Sequence, residues 1–130
     1  MEIIMREMAR IKKDLVFTGS WVARVNNKLR RRPKDIDIVV TSLDGLETFG
    51  DIICGDSTSP FAKNSKRCKI EGNEFLIDIW VKDELPEYDI IKGMKFETVD
   101  SQRKHLKDII DSTDDKFLIN IVSKKLEILN

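Results

Sequence analysis

The sequence predicts an α/β (α+β) domain: a short mixed, largely antiparallel sheet backed by helices. Three observations predict it. Residues 3–30 switch from helical to strand periodicity and back around a Gly-Ser turn. The segment DIDIVV repeats with the period of two that marks a strand. Residues 101–129 hold an apolar helical spacing broken once. A chain of 130 residues makes one domain, spanning 1–130, and its core is small enough to require helices layered on one sheet.

Taken in order, residues 3–13 place Ile3, Ile4, Met8 and Ile11 on one side of a helix, with Arg6, Glu7, Arg10, Lys12 and Lys13 on the other. Leu15, Val16 and Phe17 form a short buried strand, which Thr18-Gly19-Ser20 ends. Residues 21–30 resume helical spacing through Trp21, Val22, Val25 and Leu29. RRRPK is a loop punctuated by Pro33. In DIDIVV, Ile36, Ile38 and Val40 alternate with Asp35, Asp37 and Val39. A short helix or turn over 43–49 and an irregular stretch over 50–66 follow. RCKIEG and NEFLIDIWV read as two strands joined in a hairpin at Gly72-Asn73. Residues 83–98 are mixed, with Pro86 and Gly93 as breakers. Two helices then run from Ser101 to Leu129, separated near Ser112 to Asp114.

Lys plus Arg and Asp plus Glu both number 23, so the net charge of zero excludes a strongly basic nucleic-acid binder. The charge is unevenly placed, however. Lys28, Arg30, Arg31, Arg32 and Lys34 form one basic run, and Lys63, Lys66, Arg67 and Lys69 a second, and either can attract phosphate. Cys54, Cys68 and the single His105 have no zinc-ligand spacing, and both cysteines read as reduced thiols. The charged N-terminus lacks the apolar stretch of a signal peptide, and no apolar run reaches transmembrane length. A cytoplasmic protein with no membrane partner is expected.

Asp35 and Asp37 lie two apart on one strand and therefore on one face. Two adjacent carboxylates repel unless a cation lies between them, and oxygen-rich clusters suit Mg²⁺ or Mn²⁺. Asp78 sits amid Phe75, Leu76, Ile77, Ile79, Trp80 and Val81, where a carboxylate is costly without a partner. If its strand neighbours DIDIVV, Asp78 becomes a third ligand, and three carboxylates can hold the two metals of a phosphoryl-type transfer. Singly, each feature has a plainer reading. Asp-x-Asp can be a solvated strand face, Asp78 can cap a hairpin, and Ser20 can be a helix N-cap. Gly19 also permits a tight turn and close backbone approach to phosphate.

TGSWVARVNNKLRRRPKDIDIVV resembles the head motif of the polymerase beta-like nucleotidyltransferase superfamily. That motif is a Gly-Gly or Gly-Ser turn, a helix, then Asp-x-Asp on the next strand. The wording is particularly similar to the CCA-adding tRNA nucleotidyltransferases and poly(A) polymerases of bacteria. Gly19, Val22 and Arg24 echo the first part, and Arg32-Pro33-Lys34-Asp35-Ile36-Asp37 the second. Ser20 stands where a second Gly is usual, and no Arg-Asp follows Val22 directly. The long helical tRNA-holding domains of those enzymes have no counterpart. In size the chain is similar to the minimal nucleotidyltransferases of toxin–antitoxin pairs and mobile elements.

The resemblance implies that Gly19 and Ser20 hold a triphosphate, with Arg24 and Lys34 as further nucleotide contacts. Asp35 and Asp37 would bind both metals, and Asp78 the catalytic one. The cofactor would be Mg²⁺ or Mn²⁺. The reaction would move a nucleoside monophosphate from an NTP to a hydroxyl and release pyrophosphate. The expected acceptor is an RNA 3′ end such as that of tRNA, with a partner protein supplying acceptor binding. The alternatives are an antibiotic- or protein-modifying enzyme of the toxin–antitoxin type, or a non-catalytic nucleotide-binding module of the same fold. Lys104 and Lys107 are secondary candidates for triphosphate or acceptor contacts, with a solvated helical face as the plainer reading, and Trp21 and Trp80 read as core or rim residues.

Overall fold

A computed structural model describes residues 1–55, 66–72 and 75–130. The first helix, α1 (Glu2–Ile11), leads into β1 (Leu15–Thr18), α2 (Ser20–Val25) and β2 (Asp35–Val40). A 3₁₀ turn (Leu46–Phe49) precedes β3 (Ile53–Gly55), β4 (Lys66–Glu71), β5 (Leu76–Val81), β6 (Tyr88–Ile91) and β7 (Met94–Glu97). The chain ends in α3 (Val99–Ser112) and α4 (Lys116–Leu129). The strands form one sheet in the order β3-β4-β5-β2-β1-β7-β6. Only β1 with β7 and β2 with β5 pair in parallel; the other neighbours are antiparallel, giving the mixed, largely antiparallel sheet and helices of an α+β fold. Lys63, Pro60 and the Gly72-Asn73 turn lie wholly or partly outside the described residues.

Strand alternation gives the sheet two unlike faces. Ile36, Ile38 and Val40 join Leu15, Phe17, Ile77, Ile79, Ile70 and Phe96 in the main core. Met5 and Met8 of α1 cover that face, with Leu46 of the 3₁₀ turn. Of the expected core side of α1, Met8 is buried and Ile4 packs against the core, but Ile3 is 82% exposed and Met5 is buried instead. Lys12, expected on the solvent side, is buried. It donates to Ser42 Oγ at 3.2 Å and to the Asp44 carbonyl at 2.8 Å, and pairs with Asp14 at 3.0 Å. The opposite face carries Asp35, Asp37, Val39 and Asp78. A second apolar cluster, of Val22, Ala23, Leu106, Ile109, Val122 and Leu129, knits α2 to α3 and α4.

Three local expectations are corrected. The helix expected over 21–30 stops at Val25, because Asn27 adopts φ 60° and the Lys28 N–H closes back on the Ala23 carbonyl at 2.8 Å. The mixed stretch 83–98 contains a hairpin, β6–β7, turned at Lys92-Gly93 with φ 52° and 80°. Cys54 and Cys68 are not thiols but a disulfide. The β3–β4 register sets them directly opposite, with Cα atoms 4.1 Å apart. Helices α3 and α4 meet the expected positions, each started by a side-chain cap: Thr98 accepts from the Ser101 N–H, and Asp115 from those of Phe117 and Leu118. No helix of the described residues is long and apolar enough to cross a membrane.

Candidate active site

The polar face is organised by one row that runs across the strands. Thr18 of β1 lies opposite Asp37 of β2, Asp37 opposite Asp78 of β5, and Asp78 opposite Lys69 of β4. Directly opposed residues point to the same face and sit within side-chain reach. Asp35 projects to that face two residues earlier on β2. Sheet pairing therefore brings together two carboxylates that lie 41 positions apart in sequence.

The consequence is electrostatic. Asp37 is pushed up to about 7, first by burial, next by the charge of Asp78 and then by that of Asp35. Lys125 of α4 opposes this, and a hydrogen bond between the two carboxyls adds to it. Asp78 is only 7% exposed and is also paired to Arg67, whose Nη2 stands 3.3 Å from Oδ1. Arg67 reaches it along the diagonal from β4 and lies 5.5 Å from the centroid of the Trp80 ring. Among the described residues, no three His, Cys, Asp or Glu side chains stand close enough to cage an ion as they are placed. Asp37 and Asp78 do meet; Asp35 is exposed beside them. This donor set still suits a divalent cation. It is all oxygen, and burial with the charges of Asp78 and Asp35 holds Asp37 from ionising, a cost that a cation would relieve.

The Gly19 turn abuts the pair. Gly19 has φ 67°, and a Cβ built there would fall 2.0 Å from Asp37 Oδ2. Glycine is needed here to admit the carboxylate as well as to make the turn. Ser20 is not the N-cap of α2. That position is Gly19 itself, with no side-chain cap bond, which leaves the Ser20 hydroxyl at the cleft. Behind the turn, buried Glu97 accepts from Thr18 Oγ1 at 2.6 Å and Ser101 Oγ at 2.7 Å. Gln102 donates to the Gly19 carbonyl at 3.0 Å. These bonds fix the turn to α3.

A cleft of about 1060 Å³ opens between this face and the α3–α4 pair. It takes in Gly19, Ser20, Lys34, Asp35 and Asp37 of the expected site, whereas Asp78 lies behind Asp37 and is not among the lining residues. Arg31, Arg67, Lys82, Lys104 and Lys125 add positive charge, and Val39, Trp80 and Leu106 apolar surface. Arg24 does not line it: its guanidinium is turned to the carbonyls of Leu29 and Arg30, bracing the loop before β2. Trp21 is a core residue whose Nε1 donates to the Asp35 carbonyl at 3.1 Å, fixing the start of β2. Trp80, by contrast, borders the cleft, and its buried Nε1 has no hydrogen-bond partner among the described residues. Sequence reasoning missed Glu97, Ser101, Gln102, Lys125 and the site role of Arg67. All arrive from elements distant in sequence, with no local pattern to announce them.

No protein-family model matches the sequence, and no curated protein does. Among solved structures, the chain is similar to the crystal structure of JHP933 from Helicobacter pylori, with a TM-score of 0.56 at 16% identity. The match covers 88% of this chain and 54% of that one, so the chain spans about half the length of its structural neighbour. At that identity the two share a fold.

Proposed function

We propose that this chain is a metal-dependent nucleotidyltransferase, moving a nucleoside monophosphate from an NTP to a hydroxyl acceptor with release of pyrophosphate. One observation carries the reading. Asp37, paired strand to strand with Asp78, lies against the Gly19 turn at the wall of a cleft rich in Lys and Arg. Asp37, Asp78 and Asp35 would hold Mg²⁺ or Mn²⁺, which when bound neutralises charge on the phosphates and polarises the transferred phosphoryl group. Gly19 keeps the backbone low beside the phosphates, and Ser20 offers its hydroxyl. Lys34 and Lys125 offset the charge of a triphosphate. Asp78, as the ligand of the catalytic metal, would also help accept the proton of the acceptor hydroxyl. Trp80 borders the same cleft and carries the Arg67 guanidinium against its ring.

An RNA 3′ end is the favoured acceptor. Arg31 and Lys34, from the basic run before β2, reach the cleft and would steer a polynucleotide to it. A partner chain would supply further acceptor binding. One observation favours a second reading, a non-catalytic nucleotide-binding module: Arg67 already neutralises Asp78 without a metal. Incubation with each labelled NTP, Mg²⁺ and total RNA separates the two. Label joined covalently to RNA is the expected result. Saturable nucleotide binding with no label transferred to RNA, protein or small hydroxyl acceptors would establish the module instead.

A further inference from the structure

Asp78 is held from two sides. On one it meets the Asp37 carboxyl, and on the other the Arg67 guanidinium at 3.3 Å. The pair is unequal, since the side chain of Asp78 is 10% exposed and that of Arg67 is 43% exposed. Asp78 is therefore buried beside Asp37, while Arg67 reaches it from the cleft. The backbone beneath Arg67 is paired on both sides, to Gly55 and to Trp80, and the next residue, Cys68, is buried and disulfide-bonded to Cys54. Any movement of the guanidinium thus belongs to its side chain. It also has a second support: the Trp80 ring, 5.5 Å away, attracts it whether or not Asp78 does. From there it borders the same cleft as Lys34, Lys82 and Lys125.

A divalent cation ligated by Asp78 would stand beside this guanidinium, and the two positive charges would repel. A nucleotide triphosphate reverses the balance, since a guanidinium fork matches phosphate as well as it matches carboxylate. We propose that Arg67 is a positioning residue that occupies Asp78 in place of a cation and moves to the nucleotide's phosphates when cation and nucleotide arrive together. The proposal rests on the nucleotidyltransferase reading. It makes cation and nucleotide binding mutually reinforcing: cation alone binds weakly because it must evict Arg67, and nucleotide gives the evicted charge a new partner.

Mn²⁺ titrations followed by electron paramagnetic resonance test this, without and with a non-hydrolysable ATP analogue. The proteins are wild type, Arg67→Ala, Arg67→Gln, Arg67→Lys and Asp37→Asn. Without nucleotide, Arg67→Ala and Arg67→Gln are expected to bind Mn²⁺ about tenfold more tightly than wild type, a modest coupling because the ion pair is half-exposed. Arg67→Lys should stay near wild type. The analogue should tighten Mn²⁺ binding less in Arg67→Ala than in wild type. Should the alanine variant not fold, the glutamine variant, of similar reach and no charge, gives the same comparison. Unchanged or weaker Mn²⁺ binding in both neutral variants, with binding lost in Asp37→Asn, would overturn the role of Arg67 and leave the metal site standing. No Mn²⁺ binding in any protein, with or without nucleotide, would overturn the nucleotidyltransferase reading as well.

Discussion

Asp37→Asn is expected to be more stable than the wild-type chain at pH 8 and to have lost nucleotidyl transfer by at least about a hundredfold. The stability half follows from proton linkage. The Asp37 carboxyl moves from an ordinary 3.8 to about 7 on folding, through burial first and then the charges of Asp78 and Asp35. Between those values the folded chain keeps a proton that the unfolded chain has released. The associated stability is full below about pH 4 and is lost as pH rises through 7. The loss amounts to about 4 kcal/mol, by the conversion of a pKa difference into free energy. Asparagine mimics the protonated carboxyl and has nothing to lose. The two proteins should unfold at similar urea concentrations at pH 4 and diverge with rising pH, the variant ahead. A variant less stable than wild type at pH 8 would mean that the carboxylate contributes to the fold rather than straining it. Asp78→Asn should abolish transfer too, with a smaller gain in stability, because it strands Arg67.

Gly19→Ala is expected to destabilise the fold by about 2–4 kcal/mol and to abolish nucleotide binding. Two costs combine at this position. Alanine at φ 67° sits in a backbone region that side chains disfavour, and its Cβ would lie 2.0 Å from Asp37 Oδ2 and 2.7 Å from its Cγ. The carboxylate must move or the turn must open, and Gln102 and the Glu97 network hold the turn in place. Most of the steric share should go when the carboxylate is absent, since only the residue 37 Cβ, at 2.9 Å, then remains in the way. Measured by urea unfolding, Gly19→Ala should cost at least about 1 kcal/mol less in an Asp37→Ala background than in wild type. An equal cost in both backgrounds would assign the whole effect to the backbone.

The segments that were legible in the sequence are those whose pattern is local. DIDIVV alternates, and its isoleucines are fully buried while its aspartates face the cleft. The last two helices carry their own caps. What was hidden depends on pairing. That Asp78 would lie opposite Asp37 required β5 to join β2 in parallel, and nothing in either strand specifies its neighbour. The disulfide is hidden for the same reason, since only the β3–β4 register opposes Cys54 and Cys68. Arg24 matched a motif, yet the early end of α2 turns it toward loop carbonyls. That end was readable in Asn26-Asn27, residues suited to a left-handed helix stop, which the apolar spacing through Leu29 obscured. Lys92-Gly93 likewise marks a two-residue hairpin turn once both residues are allowed positive φ. For α1, counting apolar residues favoured Ile3, whereas packing chose the Met5 and Met8 pair three apart.

The proposed chemistry requires that Asp37 and Asp78 share a cation. The most direct measurement is the melting temperature of the wild-type chain and of Asp37→Asn at pH 8, each with and without millimolar Mn²⁺ or Mg²⁺. Relief of carboxylate repulsion should raise the wild-type melting temperature by about 5 °C or more, and the variant should lose most of that response. An equal response in both proteins, or none in either, would contradict a cation site built on this pair.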